Sequence, residues 1–442
     1  MIPFEFIENR DKFKKGSNQY IVSNLKNEMT KRYTEKEFRR KANDSCLKMR
    51  KIFPPTPLQK NEYLSEKYNS NIFLKREDLS PVRSYKIRGA CNAMGNRPNA
   101  KHFVCASAGN HAQGVAFMAA FFGVKSTIFM PTTTPQQKIS KTLMFGGENI
   151  EIRVEGDYFD ECLSAAKDFS STEDCYFLSP FDDVDVITGQ ATVGVEIEQQ
   201  LGFVPDQIII PVGGGGLSSG LMKYFGKGVK FKLVEPLGAP SLTEALIARR
   251  TKKLAQVDSF MDGAAVAEIG KLNFSILRET NPADVITIAE NRVCCSILEM
   301  LNTEGMVLEP AGALSIDVLK DISHKIIDQN IVCITTGGNF DFERLPEIKE
   351  RAAMFMGTKK YLILRLPQRP GSLREFLEIL GPNEDITRFE YLKKSARNFG
   401  TVLLGIEASR KEDFVELFSK LENSGYSYQD ISDDPVLAGF LI

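Results

Sequence analysis

A chain of 442 residues is long enough for two or three domains and a large core. Its formal net charge of −1 and isoelectric point near 6.4 argue against an electrostatic partner such as nucleic acid. The longest apolar stretch, residues 114–124, falls far short of the ~20 residues that span a bilayer.

In chain order, residues 1–30 read as a polar extension, and its start, with Glu5, Glu8 and Asp11, has no signal or transit pattern. Eight cysteines are scattered with no Cys-x-x-Cys pair, which suits reduced thiols in the cytoplasm better than a disulfide or zinc framework. Residues 72–78 predict a short strand that runs into a polar turn. The next segment, Ser84-Tyr85-Lys86-Ile87-Arg88, predicts a helix capped by Ser84 with Lys86 in its first turn. That end of a helix carries partial positive charge, so it disfavours a second cation and favours a neutral, nucleophilic amine. A solvated surface lysine would fit the same pattern.

A strand is expected at 102–106, followed by Ser107-Ala108-Gly109-Asn110-His111-Ala112-Gln113-Gly114. Small residues at a strand-to-helix turn expose backbone donors suited to a carboxylate. Asn110 and the loop amides are the functional candidates; His111 has no carboxylate nearby in sequence to orient it and reads as structural. Further strands are predicted at 127–130, 150–154 and 207–212. The last leads into Gly213-Gly214-Gly215-Gly216-Leu217 and a helix. Each glycine costs about 0.5–1 kcal/mol relative to alanine, a burden that a plain turn would rarely bear. Strand, glycine loop and helix start together hold a phosphate dianion through backbone N–H groups. The loop is neither a P-loop nor the spaced dinucleotide fingerprint. Strands at 231–234, 285–288 and 331–334 complete a β-α alternation, which predicts parallel sheets covered by helices, with ligands at the strand carboxyl ends.

After a charged connector at 347–360 the pattern changes. A strand at 361–366, a helix at 372–380, strands at 386–392 and 402–407, and a helix at 411–423 give the β-α-β-β-α order of a ferredoxin-like unit.

These segments resemble the fold-type II family of pyridoxal-phosphate enzymes, and within it the biosynthetic threonine dehydratases. The resemblance runs from about Pro55 to the C-terminus. It rests on Thr56-Pro57-Leu58, Lys75-Arg76-Glu77-Asp78-Leu79, Ser84-Tyr85-Lys86-Ile87-Arg88-Gly89-Ala90 and the Ser107–Gly114 loop. It rests equally on Pro180-Phe181-Asp182-Asp183, Gly189-Gln190, Pro211-Val212 with the glycine loop, Asp262-Gly263-Ala264 and Glu309-Pro310-Ala311-Gly312-Ala313. Pro367-Gln368-Arg369-Pro370-Gly371-Ser372-Leu373-Arg374 and Asp385-Ile386-Thr387-Arg388-Phe389-Glu390-Tyr391 resemble the single ACT-like regulatory domain of the short-form enzymes.

The resemblance implies a catalytic domain at 31–346 made of two parallel-sheet α/β subdomains, and an ACT-like α+β domain at 361–442. It implies pyridoxal 5'-phosphate as cofactor, with Lys86 as the Schiff-base lysine and the base at Cα. Gly213, Gly214, Gly215, Gly216 and Leu217 would hold the phosphate, Asn110 the ring hydroxyl, and Ser107, Ala108, Gly109, Asn110 and His111 the substrate carboxylate. Tyr85 would pack near the ring and Glu309 at the cofactor's edge, although Glu309 also reads as a helix start. L-threonine would be the substrate and isoleucine an allosteric inhibitor, in a homo-oligomer expected to be a tetramer.

Two departures stand out. Where the dehydratases usually place serine opposite the pyridine nitrogen, this chain has Thr336-Gly337-Gly338-Asn339. The hydroxyl is kept, and an uncharged partner for the nitrogen favours prompt elimination over transamination. In Glu235-Pro236-Leu237-Gly238-Ala239-Pro240-Ser241, Ser241 replaces the second carboxylate of a divalent-metal site, so no divalent metal is expected; a monovalent ion stays open. The rival readings are serine dehydratase activity on the same scaffold and a non-catalytic amino-acid sensor, the latter disfavoured because a sensor needs no Schiff-base lysine.

Overall fold

The computed structural model describes residues 34–392, 398–434 and 441; the polar extension expected at 1–30 lies outside them. The chain forms two compact units. One takes the chain up to Ala289 together with Gly305–Phe340, and the other takes Glu290–Glu304 and Asp341–Ile442. Among the described residues no helix is long and apolar enough to cross a membrane.

The first unit holds two sheets. The larger has six strands in the order β1 (Leu58–Lys60), β2 (Asn71–Arg76), β10 (Asn330–Thr335), β7 (Gln207–Pro211), β8 (Lys230–Pro236) and β9 (Val285–Ile288). Only β1 runs antiparallel to its neighbour. The smaller is wholly parallel: β5 (Ile150–Val154), β4 (Lys125–Met130), β3 (His102–Ala106) and β6 (Tyr176–Phe177). Strand β7 is buried along its whole length, which explains its unbroken apolar run: a parallel strand covered on both faces has no polar side. Ile208 and Ile210 meet Leu217 and Leu221 of helix Gly216–Phe225, and Phe38 of helix Glu35–Met49, in one core. A second core joins Phe103 and Ile128 of the smaller sheet to Met94 and Val115 of the flanking helices. Every predicted strand of this unit forms, and three carboxyl ends, those of β3, β7 and β10, lead directly into the candidate loops.

The second unit carries an antiparallel sheet ordered β12 (Glu384–Leu392), β13 (Phe399–Ala408), β11 (Lys359–Pro367), β14 (Ser427–Asp430). Along β13 burial alternates, and Val402, Leu404 and Ile406 face Phe376, Phe414 and Leu417 of helices Ser372–Leu377 and Asp413–Asn423. The expected β-α-β-β-α order therefore gains a fourth strand, β14, at the sheet edge beside β11. The stretch expected as a connector at 347–360 carries most of helix Leu345–Met356, which buries Ile348, Ala352 and Ala353 and keeps Glu347, Glu350 and Arg351 half-buried. That helix packs on Glu290–Glu304, where Arg351 Nη1 donates to Asn291 Oδ1 at 3.0 Å.

Candidate active site

Helix Lys86–Gly95 begins at Lys86, one residue later than a cap at Ser84 would place it, but Ser84 Oγ still accepts the Lys86 N–H at 3.3 Å. The Lys86 side chain is buried. Its Nζ donates to the Pro180 carbonyl at 3.0 Å and lies 5.4 and 5.9 Å from the ring centroids of Tyr85 and Phe181. Burial pulls its pKa down to about 8, against the opposing field of Glu309. Desolvation, rather than the helix-end field expected from the sequence, is its first cause in the folded chain. The Tyr85 N–H donates to the Thr336 carbonyl at 3.2 Å, which ties this helix start to the end of β10.

Beyond β7, Gly215 adopts φ +89°, in the left-handed region, immediately before helix Gly216–Phe225. Three loop carbonyls are held in place: Gly213 by Ser241 Oγ, Gly214 by Asn273 Nδ2 at 2.9 Å, and Gly215 by the Ser219 N–H at 2.9 Å. In a planar trans peptide the N–H opposes the C=O, so the N–H groups of Gly214, Gly215 and Gly216 point away from those partners. Leu217 buries its side chain in the core and offers the site only its backbone. A Cβ on Gly214 would stand 2.2 Å from the Phe181 ring. Hence Gly214→Val is expected to displace Phe181 from beside Lys86 and to weaken pyridoxal phosphate binding at least tenfold, about 1.4 kcal/mol. Fluorescence titration of the variant with the cofactor checks this, and unchanged affinity would give the loop another purpose.

The turn after β3 is half-buried from Ser107 to Asn110. Ser107 Oγ accepts from the Gly109 N–H at 3.2 Å, and helix Asn110–Phe122 follows. His111 is buried, with Nε2 3.0 Å from the Leu178 carbonyl, and burial followed by the nearby Lys86 lowers its pKa to about 3. It is thus a neutral imidazole that donates to a carbonyl, and only its backbone N–H remains at the turn. Asn110 Nδ2 donates to both oxygens of Glu309 at 2.8 and 3.0 Å, while its Oδ1 accepts from Asn339 Nδ2 at 2.6 Å.

Glu309 immediately precedes helix Pro310–Asp317, so it stands at a helix start and at this cluster at once. Burial first, and Asp262 next among the causes that raise it, push its pKa up to about 7. Thr336 follows β10; its Oγ1 is buried and meets no hydrogen-bond partner among the described residues. Such a group costs about 1–3 kcal/mol unless something binds it. Glu235, the remaining carboxylate of the metal-like segment, accepts from the N–H groups of Leu242 and Thr243 at 2.6 and 2.9 Å and so caps helix Ser241–Ala248.

The fold also brings in groups that the sequence reading left without a role. Pro180 and Phe181 had stood only inside a recognised motif, yet they flank the lysine. Asn273 holds the glycine loop, and Asn339 and Lys141 extend the Asn110 cluster. Nothing local marks Asn273 or Lys141, which are polar residues among others on ordinary helices.

Residues 50–337 match the family described as pyridoxal-phosphate dependent enzyme, and the chain belongs to that class. Residues 350–441 match the C-terminal regulatory domain of threonine dehydratase. The chain is 45% identical over 394 residues to the L-threonine dehydratase biosynthetic IlvA of Bacillus subtilis (strain 168), covering 88% of this chain and 93% of that one. It is 42% identical over 410 residues to the protein of that name from Staphylococcus epidermidis (strain ATCC 12228 / FDA PCI 1200), covering 90% and 97%. The solved structure of the processed form of threonine deaminase isoform 2 from Solanum lycopersicum superposes with a TM-score of 0.65 at 36% identity, covering 70% of this chain and 92% of that one. The chain belongs to the biosynthetic threonine dehydratase family, pyridoxal-phosphate-dependent ammonia-lyases with a C-terminal regulatory domain.

The residues present fit that cofactor. A buried hydroxyl at Thr336 lacks a partner among the described residues, a buried amine at Lys86 has its pKa lowered to about 8, and a glycine loop at a helix start has its carbonyls tied back.

Proposed function

We propose that this enzyme deaminates L-threonine to 2-oxobutanoate and ammonia, as the first step toward isoleucine, and that isoleucine inhibits it through the second unit. The observation that carries the reading is Lys86 Nζ, buried between two aromatic rings with a pKa lowered to about 8. Bound pyridoxal phosphate supplies the electron sink that acidifies the substrate Cα–H bond. In the proposed assignment Lys86 Nζ takes the Cα proton, the amides of Gly213 to Leu217 bind the phosphate, and Asn110 binds the ring oxygen. The turn from Ser107 to His111 binds the substrate carboxylate through backbone N–H groups, since the imidazole is committed to Leu178. Tyr85 packs at the ring. The Thr336 hydroxyl meets the ring nitrogen, an uncharged partner that lets the β-hydroxyl leave in preference to transamination.

In the second unit a cavity of about 400 Å³ is lined by Leu366, Arg369, Gly371, Leu373, Phe389 and Tyr391. Its largely apolar walls suit a branched side chain; Gly371 and Phe389 are among them, while Arg369 is paired with Glu375. Inhibition is expected to raise the apparent threonine requirement about 5–150-fold, the usual span of an allosteric coupling. The test is 2-oxobutanoate release by purified protein across threonine and serine concentrations, with and without isoleucine, and with the oligomer sized by light scattering. A preference for serine would make the chain a serine dehydratase. Curves that isoleucine leaves unmoved would give the second unit another effector, and a species other than a tetramer would remove that part.

A further inference from the structure

Helix Gln136–Gly146 sends two lysines one turn apart toward the Asn110–Glu309 cluster. Lys138 Nζ pairs with Asp262 at 2.9 Å. Lys141 Nζ, half-buried, donates to Asn339 Oδ1 at 2.5 Å. Asn339 Nδ2 in turn donates to Asn110 Oδ1 at 2.6 Å and to the Val82 carbonyl at 2.9 Å, and Asn110 Nδ2 ends the chain on Glu309.

We propose that Lys141 is a positioning residue for the cofactor site, acting through Asn339 to hold the Asn110 amide with its NH₂ turned toward Glu309. The inference rests on the reading of Asn110 as the group that binds the cofactor's ring oxygen.

The argument is one of donors and acceptors. An ammonium has three donors and no acceptor, so the atom of Asn339 that faces it must be the carbonyl oxygen. The NH₂ of Asn339 then faces Asn110, whose facing atom must accept. That leaves the Asn110 NH₂ on the side of Glu309, whose two oxygens accept from it. A cation at one end and a carboxyl at the other thus set the direction of both amides. The Val82 carbonyl imposes the same orientation on Asn339, so Lys141 works on an amide already turned the right way. What Lys141 adds is a charge-assisted bond that fixes the carbonyl end of that amide. A donor on Asn110 with a fixed direction is what recognition of a ring oxygen requires.

The test uses full-length Lys141→Met, Lys141→Arg and Asn339→Asp, each titrated with pyridoxal phosphate by visible absorbance and assayed for kcat and KM with threonine. Lys141→Met is expected to weaken cofactor affinity about tenfold, the scale of a charged hydrogen bond, while KM changes less than about twofold. Lys141→Arg, which also has only donors, should restore affinity. Asn339→Asp keeps the shape and strengthens the attraction to Lys141, but it removes the NH₂ that fixes Asn110, so it should lose affinity as Lys141→Met does. Wild-type affinity in Lys141→Met, or equal losses in Lys141→Met and Lys141→Arg, would overturn the proposal, and so would full affinity in Asn339→Asp. A wild-type protein that binds no cofactor would overturn the underlying reading of Asn110 instead.

Discussion

Replacing Lys86 with alanine is expected to lower 2-oxobutanoate release from threonine by ~1,000-fold or more, a barrier increase of about 4 kcal/mol, without unfolding the chain. Among the described residues the neighbouring titratable groups are already engaged, Glu309 with the Asn110 amide. His111 is neutral, with a pKa near 3, and is committed to the Leu178 carbonyl; Lys138 and Lys141 are engaged with Asp262 and Asn339. Alanine is the best helix former, and removal of a buried ammonium relieves a desolvation cost, so the thermal midpoint should hold or rise. The pKa gives the same residue a second signature. The neutral fraction of Lys86 grows as pH rises through about 8, so capture of pyridoxal phosphate by the wild-type apoenzyme should quicken over that interval and then level off. The variant should show no such rise. Turnover within tenfold of wild type would remove Lys86 from the chemistry.

The second large effect is on stability. Behind Lys86, the same helix sends the fully buried Arg88 into a charge cluster whose other members, Arg50 apart, are buried too. Arg88 bonds Glu77 through Nε at 2.7 Å and Glu196 through Nη1 at 2.6 Å. Lys75 Nζ bonds Glu196 at 2.6 Å, and Arg50 reaches the same carboxylate. Three cations thus share two anions, and burial pulls the Lys75 pKa well below its ordinary value. Glu196→Gln would leave those cations with Glu77 alone. Breaking a buried pair from one side costs about 3–5 kcal/mol. For a unit of this size that is a fall in Tm of roughly 4–8 °C, measured on cofactor-loaded protein. Activity should fall with it, because Arg88 stands two residues from Lys86 on one helix. A midpoint within about 2 °C of wild type would mean that solvent or neighbouring groups replace the carboxylate's role.

What the sequence revealed follows from how strongly each element marks itself. Strand β7 and the loop after it were legible, because a strand buried on both faces must be apolar throughout and four adjacent glycines have no cheap structural excuse. Strands β6, with two residues, and β14, with the polar sequence Ser427-Tyr428-Gln429-Asp430, carry no hydrophobic pattern; neighbouring backbones place them. Helix Leu345–Met356 passed for a connector because its charges are conspicuous and its buried face is mostly alanine. In the candidate site, positions that are unusual in themselves were readable, as with Lys86 at a helix start and Gly214 in a run of glycines. Partners that matter only by crossing between elements were not: Asn339 is 229 residues from Asn110, and Lys141 is 198 residues from Asn339. The cause of the lowered Lys86 pKa was likewise hidden, since burial is a property of the fold.

Helix Glu290–Glu304 is an excursion: the chain leaves the first unit after Ala289, builds one helix of the second, and returns at Gly305 before departing again after Phe340. The core of the antiparallel domain, from Leu362 to Leu421, draws on neither Glu290–Glu304 nor Leu345–Met356. Those two helices pack on each other instead. A shortened enzyme ending after Lys360 would keep that helix pair together, whereas one severed after Phe340 would strip Glu290–Glu304 of the surface it packs on. The helix pair, not the sheet beyond it, is what a truncation must spare.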